Sequence, residues 1–139
     1  MEAIHDLVVC SSDSTNTKGR EGEISLRLPQ PLTNSGGGVV RLKKLLISHA
    51  KKGPIWVSLD VGEPSVMTNA SRREIVGIYH CEGSKLRTYS WGESSIALPL
   101  RVGTISSLTL RFYNPFTKLP LAFHPGQTPL IVAHLQIQL

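Results

Sequence analysis

The sequence predicts an all-β protein, a single antiparallel β-sandwich domain of roughly eight to ten short strands spanning residues 1–139. Three observations lead there. Apolar and polar residues alternate with a period of two in most apolar segments. Clusters of Gly, Pro, Asn and Ser break these segments at intervals of about a dozen residues. Finally, no segment sustains the 3.6-residue period of a helix beyond two turns, and no internal repeat is present.

Ile4 to Cys10 is a short apolar run, and the polar stretch from Ser11 to Glu21 is a loop. Ile24, Leu26 and Leu28 alternate with Ser25 and Arg27 until Pro29-Gln30-Pro31, where proline supplies no ladder donor and the strand is expected to stop. Thr33 to Gly38, with three successive glycines, reads as a flexible turn. Val40 and Leu42 share one parity while Leu45 and Ile47 take the other, so one extra residue, a β-bulge, is expected at Lys43-Lys44. A short helix would also accommodate Leu42, Leu45 and Leu46, but Ile55, Val57, Leu59 and Val61 alternate so cleanly after Gly53-Pro54 that a hairpin of two strands is the better expectation.

Trp56 then points away from the Ile55 face, beneath a loop or into an interface. Glu74 to Tyr79 forms another strand, and Leu86 to Trp91 a short one with Tyr89 and Trp91 on one parity. Ile96, Leu98, Leu100 and Val102 follow, with Pro99 marking an edge or bulged position. Leu108, Leu110 and Phe112 lie opposite Thr109, Arg111 and Tyr113, and Leu119 to Phe123 forms a small strand after the Asn114-Pro115-Phe116 turn. The final strand places Ile131, Ala133, Leu135, Ile137 and Leu139 on the core face, and Val132, His134, Gln136 and Gln138 on a face that is wet or meets a partner.

With 139 residues, the chain can bury a sizeable core without disulfides or metal. Charged residues make up 18%, below the usual quarter of about 25%, which suggests that partners cover some of the surface. The net charge of +5 favours anionic partners, yet the basic groups Arg41/Lys43/Lys44, Lys51/Lys52, Arg72/Arg73 and Lys85/Arg87 are scattered. Charges so spread are expected on solvated strand edges, and Trp56, Tyr79, Tyr89, Trp91 and Tyr113 are not grouped with them as a base-stacking platform, so nucleic-acid binding is not expected. Cys10 and Cys81 read as reduced, small hydrophobes. Met1 to Asp6 lacks the pattern of a signal peptide and no run is long enough to span a membrane, so synthesis in the cytosol or nucleus is expected, without membrane insertion. Asn69-Ala70-Ser71 matches a glycosylation sequon that matters only in a secreted chain.

His5, His49, His80, His124 and His134 lie far apart, and His80 and Cys81 would face opposite sides of a strand, so no metal site is expected. There is no Gly-x-Ser-x-Gly elbow, Asp60, Glu63, Glu74, Glu82 and Glu93 form no recognisable pair, and Gly36-Gly37-Gly38 lacks the Lys-Ser/Thr of a phosphate loop. The expectation is therefore a non-enzymatic protein without cofactors.

Two stretches carry a family resemblance. Glu23 to Leu32 followed by Val39 to Ser48 resembles the strand, Pro-x-Pro-Leu turn and second strand that open many structural proteins of polinton-like and adintovirus-like DNA viruses. Ile105 to Asn114, Leu119 to Phe123 and Ile131 to Ile137 are similar to their closing pattern. Together they cover about half the chain; the Trp-Tyr signature that usually follows the second strand is replaced by His49 to Gly53. The resemblance implies a jelly-roll-like sandwich that assembles into a virion as a capsid, penton or spike-head subunit, made in the host cytosol or nucleus. Self-association and other virion proteins would then be its partners, with Val132, His134, Gln136, Gln138, Trp91 and Tyr89 as candidate interface residues. The alternative is a receptor- or glycan-binding module that uses loop aromatics such as Trp91 and Tyr89.

Overall fold

The computed structural model describes residues 3–10, 22–48, 50–68, 71–83, 87–90, 95–121 and 130–139. The strands are β1 (Ile4–Cys10), β2 (Glu23–Asn34), β3 (Val39–Ser48), β4 (Gly53–Leu59), β5 (Val66–Met67), β6 (Arg72–Arg73), β7 (Ile75–Cys81), β8 (Arg87–Ser90), β9 (Leu98–Pro99), β10 (Gly103–Tyr113) and β11 (Leu130–Gln138). One sheet runs β1-β11-β3-β8, with β9 also on β3; the other runs β2-β10-β4-β7, and β5 pairs with β6. Every pairing is antiparallel. Leaving aside the short β5, β6 and β9, the order is that of a jelly-roll-like sandwich, in which most consecutive strands alternate between the two layers.

The core lies between the sheets because the period of two turns one side of each strand inward. Ile131, Ala133, Leu135 and Ile137 of β11, and Leu108, Leu110 and Phe112 of β10, are buried as their alternation predicts. Leu139 is partly buried against the same core. The expected bulge in β3 is present: Lys44 faces His134 while Leu42 faces Leu135, so Lys43 is the extra residue. The bulge flips the parity and lets Val40, Leu42, Leu45 and Ile47 all face inward. Pro99 sits in β9, paired with Val39 at the margin of the sheet.

Several expectations need correction. β3 and β4 form no hairpin; they lie in opposite sheets. Their inward rows face the shared core from both sides, and Ala50, fully buried, lies on the crossing between them. β2 does not stop at Pro29. Residues 28–31 face Ser106 alone in a wide irregularity, and pairing resumes at Leu32 opposite Ile105, so both prolines sit where no ladder donor is needed. The glycine turn is fastened rather than slack. Buried Asn34 donates through Nδ2 to the carbonyls of Leu100 and Arg101, both at 3.1 Å, and its Oδ1 accepts from the amides of Gly36 at 3.2 Å and Gly38 at 3.1 Å. A Cβ on Gly38 would lie 2.6 Å from that oxygen, so the close approach requires glycine.

Val102 does not join the buried row of Leu98 and Leu100, being 72% exposed. In place of a small strand after residue 119, Pro120 forms a single bridge to Tyr113 and Leu121 is buried; residues 122 and 123 lie outside the described residues.

Cys10 and Cys81 are both thiols, the first half-buried and the second fully buried. Both are expected to titrate with a thiol reagent in denaturant without reductant, and Cys10 ahead of Cys81 in the native protein. Failure of either to react in denaturant would show oxidation.

Candidate functional site

The outer face of the β1-β11-β3 sheet carries four of the six residues expected at an interface: Val132, His134, Gln136 and Gln138 all point outward from β11 and are half-buried. β11 is an interior strand, so its side chains lie in cross-strand rows fixed by the register. Cys10, Val132 and Leu46 form one row; Val8, His134 and Lys44 the next; then Asp6, Gln136 and Arg41; and last Ile4, Gln138 and Val39. The face is apolar at its two ends and polar across its middle. His134 Nε2 lies 2.9 Å from Asp6 Oδ1, tying β11 to β1 on this side. At the β1 margin, Val8 is 63% exposed and Ile4 58%.

Tyr89 does not belong to this face. It stands opposite buried Leu45 on β8 and packs inward against the ring of Tyr79, with ring centroids 4.8 Å apart, while its hydroxyl accepts the Glu82 amide. Burial pushes the hydroxyl pKa of both tyrosines up. Trp91 lies outside the described residues. On β7, Val76 is buried: Val57 faces Gly77 and Ser58 faces Ile75, so Val76 is a bulged residue turned into the core.

The opposite sheet presents a different surface. Trp56, on the side away from Ile55 as its parity predicts, meets Tyr113 edge to face at 6.4 Å between centroids. Beyond them lies a cavity of about 320 Å³ whose lining includes Arg73, Arg111, Lys118, Glu23, Glu74 and Tyr113. Arg111 Nε stands 3.4 Å from Glu23 Oε2, the two lying opposite each other on β10 and β2. Burial raises the Tyr113 pKa, with Arg73 opposing and Glu74 adding to the shift. Sequence reading missed this cluster because its residues come from four separate segments. The usable signal was that Arg111 and Tyr113 share a parity on β10.

Among the described residues no group of three or more His, Cys, Asp and Glu side chains is placed to hold a metal ion, and no helix is long and apolar enough to cross a membrane. No protein-family model matches the chain, and no curated protein matches it in sequence. Among solved structures, it is similar to the virus-like particle of extra small virus from the giant freshwater prawn Macrobrachium rosenbergii, at 9% identity over 99% of this chain and 79% of that one, with a TM-score of 0.33. It is also similar to the Drosophila NLP core, a structure described for pentamer formation and histone binding, at 7% identity over 98% of this chain and 95% of that one, with a TM-score of 0.36. At these scores neither likeness bears on what this chain does.

Proposed function

We propose that this protein is a non-enzymatic structural subunit that self-associates, and that it does so in a virion as a capsid, penton or spike-head component. The observation that carries the reading is the outer face of the β1-β11-β3 sheet. Val8 stands exposed next to the half-buried row of Cys10, Val132 and Leu46, and Ile4 stands exposed in the row of half-buried Gln138 and Val39 at the other end of the face. Apolar side chains gathered on one sheet face mark a surface that a protein partner covers. The jelly-roll-like strand order and the low content of charged residues support the same reading. Virion localisation and contacts with other virion proteins rest on the sequence resemblance. A receptor- or glycan-binding head is the weaker reading, because the Tyr89 ring it would use is packed against Tyr79.

Light scattering across a concentration series tests this. The wild type is expected to exceed its 15.2 kDa chain mass, and Gln136→Arg and Gln138→Arg to lower the assembled mass without altering the fold, since an unpaired charge acts only where two surfaces meet. A protein that stays at the chain mass at all concentrations overturns self-association. An assembled mass unchanged in both variants removes the β11 face from the contact.

A further inference from the structure

We infer that the outer edge of β1 is the pairing strand of a two-fold contact, in which β1 of one copy adds antiparallel to β1 of a second copy and joins their sheets into one. This rests on the self-association proposed above and adds an edge contact to the outer-face contact named there.

The backbone fixes which groups are available. Ala3 and Leu139 exchange both of their amide-to-carbonyl hydrogen bonds, so they form a hydrogen-bonded pair. Because such pairs alternate along an antiparallel ladder and β1 runs in unbroken register against β11, His5, Leu7 and Val9 turn their amides toward β11. Ile4, Asp6 and Val8 therefore turn theirs away, toward an edge beyond which no strand lies among the described residues.

An open edge is a template for pairing unless something blunts it. The other three edges are blunted. β2 carries Pro29 and Pro31 in its irregularity, β7 is broken by the Val76 bulge, and β8 has only four residues. β1 has none of these devices: seven residues, no proline, no lysine, no arginine and no bulge. Its only acidic side chain, Asp6, is already engaged by His134.

The sequence of β1 also selects the occupant and the register. If its outward amides are to pair with those of a second β1, the register that overlaps all seven residues sets Ile4 against Cys10 and Asp6 against Val8, with Leu7 facing its own counterpart. Shifting by two toward the amino end would oppose the two Asp6 carboxylates, a repulsive arrangement. In the full register the facing Leu7 side chains meet at the mouth of the sandwich, beside a groove of about 340 Å³ lined by Leu7, Leu28, Pro29, Leu32 and Ile137. On the outer face exposed Ile4 then stands beside Cys10 of the second copy and each Val8 beside its Asp6, so apolar pairs lie at the two ends of the seam and mixed pairs at its middle.

Amide hydrogen exchange on the full-length protein reads this directly. Asp6 and Val8 are expected to exchange at least about tenfold more slowly at associating concentrations than at dilution, while Leu7 and Val9 stay protected at both. Val8→Pro removes an outward donor without touching the β11 ladder and is expected to halve the assembled mass while leaving the circular dichroism spectrum unchanged. If that variant does not fold, the wild-type exchange pattern alone decides. Fast exchange of Asp6 and Val8 in an assembled wild type, or protection independent of concentration, overturns the edge contact and leaves self-association standing. A wild type that never assembles overturns both.

Discussion

Leu135→Ala is expected to destabilise the fold by on the order of 2–5 kcal/mol, measured as a lower urea midpoint with an unchanged slope. Leu135 is fully buried on the inner face of β11, between Leu7 on β1 and Leu42 on β3. Truncation there removes contacts in a strand that is paired on both sides, so the neighbouring backbones have little freedom to close the cavity. Gln136, one residue on and turned to the outer face, is the matched control. Its arginine variant should shift stability by no more than about 0.5 kcal/mol and act instead on assembled mass. A loss below about 1 kcal/mol for Leu135→Ala would mean that the inward row of β11 is not a packed core position.

The rows that this experiment separates were legible in the sequence, because a period of two is a local property that burial on one face imposes on every residue of a strand. The Lys43 bulge was legible for the same reason: Leu42 and Leu45 can both face the core only if one residue between them is unpaired. Partner choice was not legible. Whether β3 turns back on itself or crosses to the other sheet depends on what else covers its neighbours, and Gly53-Pro54 permits either course. The placing of Tyr89 failed similarly, because its ring is held by Tyr79 from the other sheet, and the inward turn of Val76 comes from a bulge in a partner-dependent register. The openness of the β1 edge follows from the absence of a neighbouring strand among the described residues, which no pattern within Ile4–Cys10 records.

Asn34 is the buried polar side chain whose loss is expected to be most costly. Asn34→Ala would strip hydrogen bonds from the carbonyls of Leu100 and Arg101 and from the amides of Gly36 and Gly38, at about 1–3 kcal/mol for each group that water cannot then reach. Asn34→Asp separates the two halves of this network. The new carboxylate would retain an acceptor for the glycine amides, but it would face two carbonyl oxygens with no proton to offer them. Burial and those carbonyls push its folded pKa up and the two glycine amides pull it down; the expectation tested is that the first two prevail and place it above the ordinary aspartate value of about 3.9. The folded variant would therefore bind more protons than the unfolded chain between those two pKa values, and its stability relative to wild type should improve as pH falls through the raised pKa. Protonated, the side chain can donate to one of the two carbonyls. Thermal melts of the variant and wild type at pH 7 and near pH 4 check this. A deficit that stays constant across that range would show that the Asn34 amide donors contribute little, and that the turn is held by its glycine contacts alone.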